Sequence, residues 1–365
     1  MYNSTLISLP APANLSYMWN MGSLLGLCLG LQLITGLLLA SAYSVSMNTS
    51  FTLMAFLMET MDKGWLIRYL HANGASLFFL CLYLHAGRGI YYSSFLQVHT
   101  WNIGVTILLL TMATAFMGYV LPLNQMSFWG ASVITNLFSE IPYIGPDLIK
   151  ILWGDMSVNE PTVMRFFTFH FVLPFVILAL AVIHITLLHQ EGSSNPLGIL
   201  SNTDKIPFHS YFSMKDLVGV MFTAMVTLTV SLLIPLVLGD DENFTPADPS
   251  TTPIHIQPEW YFLFAYAILR SIPNKLGGVL GLLLSILLLY ILPLTATAKM
   301  KGTALYPVNK LMFWGFISCL IILTWLGACP VEPPFLFLSQ MFTALYFLYF
   351  LVNPLVSTLW DYIIK

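Results

Sequence analysis

Eight stretches nearly free of charge run along this chain, at about 20–44, 65–92, 101–123, 166–189, 215–238, 276–298, 310–329 and 335–360. Each can carry an α-helix across a hydrocarbon core roughly 30 Å thick, which takes about 20 apolar residues. No water pairs with exposed amides in lipid, so backbone polar groups must bond within their own segment, and open sheets are excluded. The pattern predicts an all-α polytopic membrane protein with eight transmembrane helices, both termini on one side. The loop at about 124–164 contains Asn136-Leu-Phe-Ser-Glu-Ile-Pro-Tyr-Ile-Gly145 and predicts short amphipathic surface helices on one membrane face. Another long loop, about 239–274, carries Asp240, Asp241 and Glu242, then Pro246, Pro249 and Pro253. The polar link 190–214 divides the chain into an N-terminal four-helix bundle, residues 1–200, and a C-terminal four-span region, residues 201–365.

Composition sets the solvent. Apolar residues make up 58% and charged residues 8%, against roughly 45–50% and 25% in soluble chains. With a mean hydropathy of +0.81 the chain belongs in lipid, and no nucleic-acid partner is expected. No lysine or arginine precedes Lys63, so a removable signal peptide is not indicated and the first apolar run is expected to be kept as a span. Counting from the N-terminal side, Lys205, Lys215, Lys299, Lys301, Lys310 and Lys365 fall on side one. Lys63, Lys150, Arg270 and Lys275 fall on side two. Six against four places the termini inside. Cys28, Cys81, Cys319 and Cys329 form no CxxC pair and read as small hydrophobes.

The second and fourth runs each hold two histidines fourteen residues apart, His71/His85 and His170/His184. Fourteen helical residues advance roughly 21 Å and return to within about 40° of the starting face. One intervening span makes these two helices parallel, so His71 pairs with His170 near side two and His85 with His184 near side one. Imidazoles deep in lipid are costly and functional by default, although a single one can merely bond across helices. Structural zinc wants four ligands at one point. Two histidines per layer suit the axial positions of an iron porphyrin, whose ring supplies four nitrogens.

The same interval recurs in Gly22/Gly36 of the first run and Gly104/Gly118 of the third, which would leave two haem-width gaps at matching depths. Small-residue helix packing is the ordinary alternative for these glycines. Arg68, three before His71, Arg88, three after His85, and Arg165, five before His170, are candidate partners for haem propionates. Snorkelling at span ends is the alternative for them.

Three stretches then carry a resemblance. They are Gly64-Trp-Leu-Ile-Arg68-Tyr-Leu-His71-Ala-Asn-Gly74, Gly118-Tyr119-Val-Leu-Pro122, and Pro258-Glu259-Trp260-Tyr261 running on to Arg270. Nearly end to end, the chain resembles mitochondrial cytochrome b, the haem-carrying core of respiratory complex III, ubiquinol–cytochrome c oxidoreductase. The photosynthetic counterpart has one more residue in its second histidine interval and a divided chain; this sequence shows neither.

The resemblance implies two non-covalent, bis-histidine b-type haems, the low-potential one on His71 and His170, the high-potential one on His85 and His184. It implies a quinol oxidation site on side two, with Glu259 as proton acceptor, Tyr119 and Tyr261 as neighbours and Gly130 keeping the pocket open. On side one it implies a quinone reduction site using His189, Ser193, Lys215 and Asp216, with Asn20 nearby. Ubiquinol and ubiquinone would be the substrates. A Rieske iron–sulfur protein, cytochrome c1 and other complex III subunits would be partners, in a homodimeric complex of the mitochondrial inner membrane with matrix-side termini. The reaction would be bifurcated electron transfer coupled to proton translocation, the Q cycle.

Three departures stand out. The chain starts about a dozen residues later than many relatives, which would omit an N-terminal surface helix. Leu123-Asn124 replaces the usual Trp-Gly, and Glu140 stands where a small residue is usual. Two other readings stay open: a bacterial cytochrome b acting on menaquinol, and a proton-coupled transporter in which the histidines relay protons. A reduced-minus-oxidised spectrum separates the last from the rest: a b-type α-band is expected, and its absence overturns the haem reading.

Overall fold

The computed structural model describes residues 7–364; Lys365, counted above with the side-one cations, lies outside them. The fold is almost wholly helical. Among the described residues, seven helices are long and apolar enough to cross a membrane. In order they are the first span, Tyr17–Ser41, the third, Val98–Val120, the fourth, Glu160–Glu191, and the fifth, Phe208–Leu233, then the sixth, Lys275–Thr295, the seventh, Pro307–Ala328, and the eighth, Phe335–Ile363. The second, Gly64–Tyr91, is 28 residues long, roughly 42 Å of helix. Its apolar run is diluted by Arg68, His71, Asn73, His85 and Arg88, so it is long enough for the expected eighth span but less apolar than the seven.

The first span packs mainly on the second, and the third on the fourth. The fifth, assigned to the C-terminal half by the sequence division, packs against the second and first spans. The C-terminal core is an aromatic cluster including Phe264, Phe316, Tyr346, Tyr349 and Phe350 around Ile268 and Leu323.

Several features escape the hydropathy pattern. A surface helix, Ser50–Thr60, lies between the first and second spans. Pro10–Pro12 pairs antiparallel with Lys205–Pro207, a two-stranded ladder in a chain expected to be all-α. The sixth span is helical over Lys275–Leu287, tightens into a 3-10 turn over Leu288–Ile291, then resumes. Pro293 accounts for the break, since its ring clashes with the carbonyl four residues earlier and it has no N–H to offer. That carbonyl, of Leu289, is taken instead by the Trp101 Nε1 donor at 2.7 Å.

Of the departures, Asn124 caps the surface helix Gln125–Asn136 in a reciprocal box with Ser127, which a glycine could not do. Leu123 is fully buried. Glu140 pairs with Lys275 at 3.5 Å, both partly in solvent, where such a pair contributes little stability. Replacing Asn124 with alanine should cost about 1 kcal/mol at this helix start. Hydrogen exchange should show the first turn of Gln125–Asn136 opening roughly five-fold more often, with the membrane spans unchanged.

Candidate functional site

The two histidine pairs assemble as the spacing requires. His71 and His170 have ring centres 6.2 Å apart at 83°, and His85 and His184 have ring centres 6.2 Å apart at 59°. Two imidazoles bound end-on to one iron at about 2 Å, each nitrogen about 1 Å from its ring centre, would give roughly 6 Å.

For His71 and His170 the tautomers fit as well. Thr35 Oγ1 spends its hydrogen on the Leu31 carbonyl at 2.7 Å, so it accepts from His71 Nδ1 at 2.8 Å. His170 Nδ1 can only donate to the Thr114 carbonyl, at 2.8 Å. In both rings the second nitrogen therefore keeps its lone pair for a metal. In the other layer His184 Nδ1 has the Thr100 backbone as its polar neighbour without a well-formed hydrogen bond. His85 Nδ1 accepts from Arg88 Nη2 at 3.3 Å, which leaves the proton of the neutral ring on Nε2, so this ring is not set to offer Nε2 to a metal as the first pair is.

Each histidine faces one of the four glycines. A Cβ on Gly36 would stand 3.1 Å from His71 Cε1, and one on Gly118 would collide with the His170 ring. At the other depth Gly22 faces His85 at 3.7 Å and Gly104 faces His184 at 3.2 Å. Space for a flat group is thus kept by glycines on the first and third spans opposite histidines on the second and fourth. No cluster of three or more His, Cys, Asp or Glu side chains suited to a metal ion occurs among the described residues. A two-ligand layer needs a metal that brings its own equatorial donors, and the residues fit haem.

The three arginines expected to meet propionates divide. Arg68 lines a cavity of about 440 Å³ with His71, His170, Tyr119, Glu259 and Tyr261. Arg88 lies 5.1 Å over the Trp19 ring. Arg88 Nε and Trp19 Nε1 are both buried donors without an acceptor, the pattern a carboxylate would satisfy. Trp19 escaped the sequence reading because a tryptophan at a span end reads as an interfacial anchor. Arg165 does not join the site. Its Nη1 reaches the Leu152 carbonyl at 3.4 Å, and its guanidinium lies against Gly154. The open carbonyl end of helix Gly145–Trp153 attracts the cation there.

On side two, Glu259 precedes a 3-10 turn, Trp260–Phe262, and the short helix Leu263–Ser271. Burial pushes its carboxyl up to about 7 from an ordinary 4.5; the Arg68 charge opposes the shift and Asp240 adds to it. The ring of Tyr261 stacks flat on Phe79, 4.0 Å apart at 4°, and its carbonyl accepts from the Tyr83 hydroxyl at 2.5 Å. The Tyr119 hydroxyl donates to Asn243 Oδ1 at 3.1 Å. Asn243 and Asp240 line the same cavity, which the sequence flagged only as a charged loop. Gly130 is not among the lining residues, and a Cβ there would meet nothing within 4 Å.

On side one, Asn20 Nδ2 donates to the Lys215 carbonyl at 2.9 Å. Lys215 Nζ donates to the Leu15 carbonyl at 2.6 Å and lies 4.7 Å from the Tyr17 ring centre. Ser23, another residue the sequence did not flag, donates its hydroxyl to the Asn20 carbonyl at 2.8 Å, with Asp216 beside it. His189 lies in the last turn of the fourth span and Ser193 just past its end; neither bonds into that group.

A family model described as cytochrome b/b6/petB matches residues 6–192. A second, described as cytochrome b (C-terminal)/b6/petD, matches residues 246–347. A solved structure described as a hyperthermophilic respiratory Complex III is similar at 32% sequence identity and a TM-score of 0.91, covering 98% of this chain and 95% of that one.

The glycine cradle yields a direct test. Gly118→Val should remove one b-type centre and leave the other, so the pyridine haemochrome content of the purified complex falls to about half. Gly26→Ala, on the first span with nothing within 4 Å of the added carbon, should keep the full content.

Proposed function

The chain belongs to the cytochrome b/b6 family, and on that ground we propose that it is the core of a ubiquinol–cytochrome c oxidoreductase that oxidises quinol at Glu259 and reduces quinone on the opposite face. Family membership carries b-type haem binding and quinol-linked electron transfer within a cytochrome bc complex. The finer reading rests above all on the two imidazole pairs facing four glycines at two depths.

His71 and His170 would hold one haem, with Arg68 for a propionate; His85 and His184 would hold the other, with Arg88 and Trp19. Bound there, haem supplies a one-electron carrier in each leaflet. The chain's own residues handle protons. A carboxyl with a pKa near 7 is half ionised at working pH, so Glu259 can take a proton from a quinol hydroxyl and still release it. Tyr119 and Tyr261 wall the cavity beside it. On the far face Asn20 bonds to Lys215 and Ser23, and Asp216 lies beside them. With His189 at the adjacent span end, they would supply protons to the reduced quinone. Oxidation on side two and reduction on side one would separate charge, as the Q cycle requires, with a Rieske iron–sulfur protein and cytochrome c1 as partners in a dimeric complex. The six-to-four excess of cations supports termini on the inner side, which would be the matrix side if the membrane is the mitochondrial inner one.

Because only the ionised carboxylate accepts a proton, quinol oxidation should rise as pH rises through about 7 and level off above it. Glu259→Gln should lower the rate by about 10²-fold or more and flatten this dependence. Stopped-flow haem reduction across pH 5.5–9 checks both. An unchanged profile in the variant removes Glu259 from the role. A potentiometric titration should resolve two b centres, with His85→Leu abolishing one and sparing the other.

A further inference from the structure

We propose that Arg270 and Gly327 clamp the short helix Leu263–Ser271, so that the end of the seventh span holds Glu259 and Tyr261 in working position; both are positioning residues. The inference rests on the reading of Glu259 given above.

Arg270 lies in the last turn of Leu263–Ser271. Its Nη2 donates to three carbonyls, of Leu326 at 3.0 Å, Gly327 at 2.7 Å and Cys329 at 3.1 Å. Tyr266 backs the guanidinium, 4.4 Å from its ring centre. Those carbonyls are the open end of the seventh span, where the final turn lacks intrahelical donors and the helix dipole favours a cation. No acid forms an ion pair with Arg270 among the described residues, so its charge answers backbone dipoles.

The same helix end grips the other end of the segment. A Cβ at Gly327 would overlap the Leu263 carbonyl group, so only glycine lets the two backbones meet there. The eighth span adds two bonds at Ser271, with Thr343 Oγ1 at 3.0 Å and Gln340 Nε2 at 3.2 Å. From the haem side, Tyr83 holds the Tyr261 carbonyl. Leu263–Ser271 is thus fixed at both ends by a region that touches no haem ligand, and Glu259 hangs four residues ahead of it.

Geometry at a reacting centre is sensitive, a 1 Å displacement costing on the order of 10²-fold. The groups around Glu259 are Arg68 from the second span, Tyr119 from the third and Asp240 from the loop. A loosened segment would let water reach the carboxyl and lower its titration point.

The test uses the assembled complex in native membranes, with Arg270→Gln, Arg270→Lys and Gly327→Ala, and Glu259→Gln in parallel. Arg270→Gln should lower kcat for quinol oxidation by about ten-fold and raise KM. The pH midpoint should move down by about one unit. Quinone reduction on side one should stay within about two-fold, and both haem bands should remain. Gly327→Ala should give the same one-sided loss, and Arg270→Lys, with a single ammonium in place of the fork, should recover part of it. The proposal is overturned if Arg270→Gln and Gly327→Ala leave side two within about two-fold. It is equally overturned if both faces and the haem bands are lost together. A wild-type pH profile in Glu259→Gln instead defeats the reading of Glu259, while the one-sided kcat and KM changes still measure the clamp.

Discussion

An imidazole buried in hydrocarbon must have both nitrogens answered, and the N-terminal half is arranged around that demand. The outward nitrogens of His71 and His170 are met by a threonine hydroxyl and a backbone carbonyl on neighbouring spans. What is left is a lone pair on each inward nitrogen, facing space that glycines keep clear. Helix packing, hydrogen bonding and ligand geometry become one constraint. A side chain larger than hydrogen at Gly118 would fill the volume the His170 ring occupies.

The C-terminal half solves a different problem. Its aromatic core and the buried pair of Asp361 with Tyr306, 2.9 Å apart, give it a rigid body without cofactor ligands. Through Leu263–Ser271 that body presents a carboxyl to a cavity whose other walls come from the histidine-bearing bundle, the helix Ser50–Thr60 and the loop around Asp240. The fifth span, packed on the first and second, further joins the halves. The polar link near residue 200 therefore marks a topological boundary more than a mechanical one.

Much of this was legible in the chain. The fourteen-residue interval depends only on helical repeat, and it placed the four histidines and four glycines in facing layers. Arg68 and Arg88 followed from i,i+3 geometry. Arg165 misled because a helix C-terminus remote from its own span competes for the guanidinium, and the sequence does not show which acceptor lies nearer. Trp19 and Asn243 were hidden for a similar reason: their partners come from segments far along the chain. The surface helix Ser50–Thr60 was missed because an apolar stretch of 11 residues is too short to span and shows little helical periodicity. Pro293 was visible, yet its effect depends on Trp101, nearly two hundred residues away.

The small ladder joining Pro10–Pro12 to Lys205–Pro207 bears on how the chain is made. Ala11 lies opposite Ile206, and Asn20 bonds to Lys215 across 195 residues. A ribosome feeding this polypeptide into a bilayer must deliver four crossings before the leading segment can find its strand partner. Until then those amides stay wetted at the surface. The strap closes only after the fourth crossing has been threaded, so it works as a latch on a finished bundle and contributes nothing to the nascent one.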